Sequence, residues 1–168
     1  VDVIVSPVID GVVLMDDTLR IFGRGAVARV PLLIGANTND ANLFVAAVPA
    51  YANMSAGTYA GFVNASLYLN NQTPAPGRLA RVLAAYPPTA NATTNLRGFA
   101  QFATDAGFVC SARETAAALR RRPQPPMPEP VFFYHYDHPY PNPRCADLYF
   151  EPGAFGTTHT AEISYVFG

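Results

Sequence analysis

Apolar and polar positions along the chain form blocks that predict one strand, then helices, then a second strand. Within residues 28–40, a continuous apolar run bounded by a glycine and two asparagines predicts a short buried strand followed by a polar turn. Asp40 therefore falls just beyond a strand end. Apolar residues then recur at helical spacing over 56–68, and the segment 77–88 predicts a second helix that its prolines stop.

The second half of the chain predicts two more helices, at 94–107 and 108–122, the latter with a basic last turn that suits a helix C-terminus. After the proline-rich connector 123–130, the alternating segment 131–138 predicts a strand, and a long loop leads to His159. This order of elements predicts an α/β fold in which polar residues follow strand ends, where open α/β sheets place active sites.

Composition narrows the function classes. The 168 residues are half hydrophobic and could bury a sizeable core, as one domain or as part of a larger one. A net charge of −1 gives no electrostatic footprint for nucleic acid, and no apolar run approaches the roughly 20 residues that cross a bilayer.

The N-terminus has neither an initiating Met nor a signal peptide, and the chain stops at Gly168 inside an apolar segment, so we expect both ends to be cut.

Four N-glycosylation acceptor patterns cluster between residues 53 and 93. The acceptor asparagines are Asn53, Asn64, Asn71 and Asn91. Their clustering favours a secreted or secretory-pathway protein over an Asn- and Thr-rich loop region. Cys110 and Cys145 are compatible with disulfides in that compartment, although an isolated pair does not establish that they join each other.

Asp40 and His159 are candidates for the acid and the base of a nucleophile, base and acid triad, because a histidine base needs a carboxylate to fix its tautomer. Structural roles for either residue remain open. No serine has the G-x-S-x-G context of a nucleophile elbow, and no glycine run could build an oxyanion hole. If the protein is a serine hydrolase, its nucleophile lies outside these residues.

His135, Asp137 and His138 form an H-x-D-H pattern that invites a metal interpretation. Zinc sites usually have further ligands at short spacings, and strand alternation puts the first two side chains on one face and His138 elsewhere. We therefore predict no metal and no cofactor. The arginine run 120–122 is interpreted as a solvated helix end and not as an anion site.

Five segments, in this order, resemble the C-terminal half of the type B carboxylesterases and cholinesterases: 6–17, 30–45, 105–119, 131–139 and 159–168. The resemblance implies an α/β-hydrolase fold, of which residues 1–168 would be the C-terminal part of a single domain. That part would hold some of a mixed, mostly parallel sheet with flanking helices, and would be incomplete on its own. The family's triad runs in the order serine, acid, histidine.

The resemblance sets Asp40 at the family's acid position, where most members have Glu, with Gly35 and Phe44 at the two ends of the motif and Ala41 in place of a glycine. A carboxylate that is one methylene shorter is displaced by about 1.5 Å, the length of a C–C bond. The backbone or a neighbouring side chain must absorb that difference.

His159 matches the family's histidine, followed by Thr160 where the family has a glycine that could serve unusual backbone angles. Glu162 matches a buried acid that supports the site and is not the triad acid, and the alternative for this residue is a surface carboxylate. Cys110 matches a cysteine that usually bonds to one beyond Gly168, which argues against a bond to Cys145. Asp105 matches an acid in a structural salt bridge whose partner would also lie downstream.

Together these features predict a carboxylic ester hydrolase that acts on small-molecule esters. Residues 1–168 would supply Asp40 and His159, the missing N-terminal part would supply the serine and the oxyanion hole, and this piece alone would be inactive. Two alternatives remain open: a catalytically inactive, cholinesterase-like adhesion protein, and an unrelated secreted α/β domain that matches the segments by chance.

Overall fold

The computed structural model of the chain describes residues 7–68, 75–121, 130–138 and 156–168. The elements are helix α1 (Thr18–Gly23), strand β1 (Leu32–Asn37), helix α2 (Asn42–Ala46), a 3₁₀ turn (Pro49–Tyr51), helices α3 (Ala56–Leu67), α4 (Arg78–Ala85) and α5 (Ala92–Thr104), a π-helical segment (Asp105–Val109), helix α6 (Cys110–Arg121), strand β2 (Val131–Tyr136) and helix α7 (Ile163–Val166). Both predicted strands and all four predicted helices are confirmed, with bounds that differ by a few residues.

Strands β1 and β2 pair in parallel. The amide of Leu32 donates to the carbonyl of Pro130 (3.0 Å), and the amide of Thr38 donates to the carbonyl of Tyr136 (3.1 Å), so the register is the same at both ends. A Cβ on Gly35 would collide with the carbonyl oxygen of Tyr134, which explains the glycine at that position. A parallel strand pair with accompanying helices fits the α/β class.

Strand β1 was predicted to be buried, and it is buried only at its C-terminal end. Ala36 and Asn37 are buried, whereas Leu33 is 63% exposed. The apolar run therefore identified the strand correctly but not its burial in this part of the chain.

The chain divides into two compact units. In its described part, the first unit comprises residues 7–35, 110–121 and 130–134, and in it α1 packs against α6. The carboxylate of Asp17 caps α1 by accepting from the amides of Leu19 and Arg20. Helix α1 was not predicted, because its six residues are too few to show a helical period.

In its described part, the second unit comprises residues 36–68, 75–109, 135–138 and 156–168. Helices α2, α3 and α5 pack together around an apolar cluster, which we call the helical core. Its largest members are Met54, Tyr59, Leu67, Phe99 and Phe102. The side chains of Ser55 and Asn91 cap α3 and α5 by accepting from the amides of Thr58 and Thr94. This core lies beneath the turn that follows β1, where the site begins.

Candidate active site

Two turns of the second unit meet at the candidate site: residues 37–41, the acid turn, and residues 156–162, the histidine turn. Oδ1 of Asp40 lies 2.8 Å from Nδ1 of His159. The side chain of Asp40 is 6% exposed and that of His159 is 42% exposed. Nε2 of His159 has no hydrogen-bond partner among the described residues, so the imidazole is held at one nitrogen and available at the other. The structure thus brings the two predicted residues together.

The acid turn fixes both oxygens of the Asp40 carboxylate. Oδ2 accepts from the amide of Asn37 at 2.7 Å, which leaves Oδ1 for His159. The next residue, Ala41, is anchored from α5, because its amide donates to the hydroxyl of the fully buried Thr104 at 3.0 Å. A buried carboxylate that accepts two hydrogen bonds is held in one orientation.

The histidine turn begins with two reciprocal hydrogen bonds to Asn39. The amide of Thr157 donates to Oδ1 of Asn39, and the amide of Asn39 donates to the carbonyl of Thr157, each at 3.1 Å. Gly156 has a φ of +60°, and a Cβ there would collide with the side chain of Asn39. The turn can approach the acid turn this closely because its first residue is a glycine.

Thr160 adopts the left-handed backbone that the missing family glycine suggested, with a φ of +72°. A β-branched residue is a genuine outlier in this region, and such a conformation costs of order 1–3 kcal/mol. The turn next to His159 therefore keeps the glycine-like geometry although it carries a threonine.

Glu162 does not contact the imidazole. Its Oε2 accepts from Nδ2 of Asn37 at 2.6 Å, and the same Nδ2 donates to the carbonyl of Thr158 at 2.7 Å. Glu162 is partly exposed, which lies between the buried acid that the resemblance implied and the surface carboxylate that was the alternative.

Two aromatic rings flank the imidazole of His159. The rings of Phe44, from α2, and Phe108, from the π-helical segment, each lie 5.2 Å from the histidine ring, at interplanar angles of 54° and 48°. The sequence predicted a boundary between two helices at 107 and 108, where the chain instead continues through a π turn. Such turns insert one extra residue into a helix and are frequent at functional sites.

The remaining predicted residues lie apart from this pair. Asn53 and Asn91 are exposed and Asn64 is partly exposed within α3, while Asn71 and Cys145 lie outside the described residues. Cys110 is exposed and free in this structure. Asp105 accepts from the hydroxyl of Tyr86 (2.5 Å) and from Nε2 of Gln101 (3.1 Å), so its hydrogen bonds here come from neutral groups.

His135 and Asp137 meet at Thr38, whose hydroxyl lies 3.0 Å from Nε2 of His135 and donates to Oδ1 of Asp137 at 2.7 Å. His138 instead packs its ring against Tyr165 at 5.1 Å. The predicted placement of the three side chains is confirmed. Within the described ranges, no group of three or more His, Cys, Asp or Glu side chains is arranged to hold a metal ion.

Asn37, Thr104 and Phe108 are among the residues of the site that were not predicted. Asn37 is the last residue of β1, but polar residues at strand ends are common in turns of every kind. Thr104 and Phe108 belong to a helical pattern and give no signal of their own. Only the fold brings them to the acid turn and to the imidazole.

Comparison with known families decides the classification. Residues 2–168 match the model of the carboxylesterase family. The chain belongs to the carboxylesterase family. The membership confirms the resemblance drawn from the five segments, and the carboxylesterase family is a family of ester hydrolases. No match was found among curated proteins. In the part of the chain that the structure describes, no helix combines the length and the apolar character needed to cross a membrane.

Proposed function

We propose that the complete protein is a serine carboxylesterase in which this chain supplies the acid, Asp40, and the base, His159. One observation carries the proposal: a buried carboxylate oxygen lies 2.8 Å from Nδ1 of an imidazole that is still 42% exposed. The carboxylate orients the ring and stabilises its protonated form, and Nε2 is left to exchange a proton with a nucleophile. A preceding segment of the same polypeptide would supply the serine and the oxyanion hole.

The proposed reaction has two halves. Nε2 of His159 takes the proton of the serine hydroxyl while the serine oxygen attacks the ester carbonyl, and the imidazolium then gives that proton to the leaving alcohol as the C–O bond breaks. A water molecule attacks the acyl-enzyme in the same manner and releases the acid. Asp40 remains ionised throughout and holds Nδ1–H. Residues 1–168 on their own would not turn over ester.

The geometry of the pair favours an enzyme over a catalytically inactive adhesion protein. Because fold alone does not fix function, the choice has to be made from the site. An adhesion protein has no need of a buried carboxylate that is aligned on an imidazole. The discriminating feature is the preceding segment, because a G-x-S-x-G motif there supports the esterase and a replaced serine supports the binding protein.

The proposal includes a secretory-pathway location. Asn53 and Asn91 are acceptor residues with exposed positions, as glycan attachment requires. A loss of mass after enzymatic removal of N-linked glycans from the natural protein would support this location. An unchanged mass would contradict it.

The experiment that tests the esterase is His159→Ala in the complete protein, with turnover of a p-nitrophenyl ester as the assay. Loss of a triad histidine is expected to lower kcat on the order of 10⁴-fold or more. His138→Ala is the matched control, because this exposed histidine packs on Tyr165 and touches neither residue of the pair. Undiminished turnover in His159→Ala would end the proposal.

A further inference from the structure

We propose that Asn37 is a positioning residue that holds the acid and the base in register, an inference that rests on the proposed esterase function. Asn37 is the last residue of β1 and is 1% exposed. It touches neither the imidazole nor the path of the transferred proton. Its effect would be exerted entirely through Asp40 and the histidine turn.

Asn37 is the first residue of the acid turn, and it bonds both to Asp40 within that turn and to the histidine turn. Its backbone amide donates to Oδ2 of Asp40 at 2.7 Å, and its side-chain Nδ2 donates to the carbonyl of Thr158, the residue before His159, at 2.7 Å. The second Nδ2 hydrogen reaches Oε2 of Glu162 at 2.6 Å, a short bond to an ionisable acceptor. A single residue therefore links the Asp40 carboxylate to the backbone before the histidine and to the side chain of Glu162 after it.

The orientation of the amide is determined by these partners. Both groups that face Nδ2 are acceptors, so the reversed amide would set its oxygen against two other oxygens. The carbonyl oxygen Oδ1 is buried and has no hydrogen-bond partner among the described residues. An unsatisfied buried oxygen costs stability. The amide is thus oriented so that Nδ2 bonds to the histidine turn while Oδ1 is left without a partner. This orientation indicates a role in the site and not in stability alone.

The chemical consequence follows from the distances. Without Nδ2, the histidine turn would still be joined to the acid turn through Asn39, but the backbone at Thr158 would be free to shift relative to Asp40. A misplacement of about 1 Å at a catalytic group can lower the rate by 10²-fold. Because the side chain of Asn37 is buried, its removal should lower kcat and leave KM for a small ester unchanged.

The test is Asn37→Ala in the complete protein, compared with Asn95→Ala. Asn95 is a matched control, because it is also a buried asparagine whose Nδ2 donates to two backbone carbonyls, those of Met54 (2.9 Å) and Thr89 (3.0 Å). We expect Asn37→Ala to lower kcat roughly 10- to 100-fold with KM changed by less than about two-fold. Asn95→Ala should lower the melting temperature and leave kcat per titrated active site unchanged.

A second pair of variants keeps the proposal testable if Asn37→Ala does not fold. Glu162→Ala removes one of the two acceptors of Nδ2, whereas Glu162→Gln keeps an oxygen that can accept from it. We expect a fall in kcat with Glu162→Ala and its recovery in Glu162→Gln. Wild-type kcat in Glu162→Ala would overturn the inference even if Asn37→Ala does not fold. If Asn37→Ala folds, wild-type kcat in it, or a loss of kcat equal to that in Asn95→Ala, would overturn the inference as well.

Failure of this inference is distinguishable from failure of the esterase proposal. If His159→Ala is inactive and Asn37→Ala is fully active, the triad stands and only the role of Asn37 is wrong. If His159→Ala turns over ester as well as wild type, both proposals fail together.

Discussion

The helical core and the two site turns belong to the same unit but are built differently. The core is a cluster of apolar and aromatic side chains contributed by helices, with Phe99 in ring contact with Tyr51, Tyr59, Phe62 and Phe102. The site turns are joined by a few hydrogen bonds between residues as far as 125 positions apart. Most of the stability therefore comes from the core, whereas the alignment of Asp40 with His159 depends on polar contacts that contribute little to stability. The two properties should therefore respond to different substitutions.

The substitution with the largest expected effect on the core is Phe99→Ala. Removing this buried ring should lower the free energy of unfolding by about 3–5 kcal/mol, because the surrounding aromatic side chains close only partly around the space it leaves. In the complete protein, kcat per titrated active site should stay at the wild-type value. Denaturant unfolding and active-site titration measure the two quantities, and a fall in kcat of the molecules that remain folded would show that core and site are not separable.

An intermediate effect is expected at Thr104, where the core reaches the acid turn. Thr104→Val keeps the shape of the side chain but removes the hydroxyl that accepts from the amide of Ala41, so a buried N–H loses its partner at a cost of about 1–3 kcal/mol. Because Ala41 follows Asp40, kcat should fall as well. Thr104→Ser retains the hydroxyl and is the control. If Thr104→Val and Thr104→Ser unfold at the same denaturant concentration, the hydrogen bond between Ala41 and Thr104 does not anchor the acid turn.

The smallest effect should be a gain, at Thr160. Thr160→Gly relieves the left-handed strain of the histidine turn and should raise the free energy of unfolding by about 1 kcal/mol, the strain relief being partly offset by the greater freedom of glycine in the unfolded chain. Thr160→Ala still carries a Cβ and should gain less. Thermal unfolding of the two variants gives the comparison, and equal stabilities would mean that the Cβ is not the source of strain.

The sequence predicted the elements whose signals are local. Tyr59, Val63 and Leu67 follow helical spacing, and all three are buried in α3. Asp40 was indicated by its position after a predicted strand, and a family motif indicated both Asp40 and His159. The two residues could therefore be paired. Asn37 could not be placed in the site, since its role depends on Thr158 and Glu162, which reach it only in the folded chain. The π turn that directs Phe108 toward the imidazole was invisible as well, because one inserted residue hardly changes an apolar pattern.

The short acid at position 40 has a consequence for engineering by family consensus. Oδ2 of Asp40 accepts from the backbone amide of Asn37 at 2.7 Å, and Oδ1 lies 2.8 Å from Nδ1 of His159. Both contacts depend on the length of the Asp40 side chain. The common family residue, introduced as Asp40→Glu, would carry the carboxylate about 1.5 Å farther, one C–C bond, and could not keep both contacts without moving the turn. A lower kcat in that variant would show that the aspartate and its surroundings are adapted to each other. Such residues should be exchanged together or left alone.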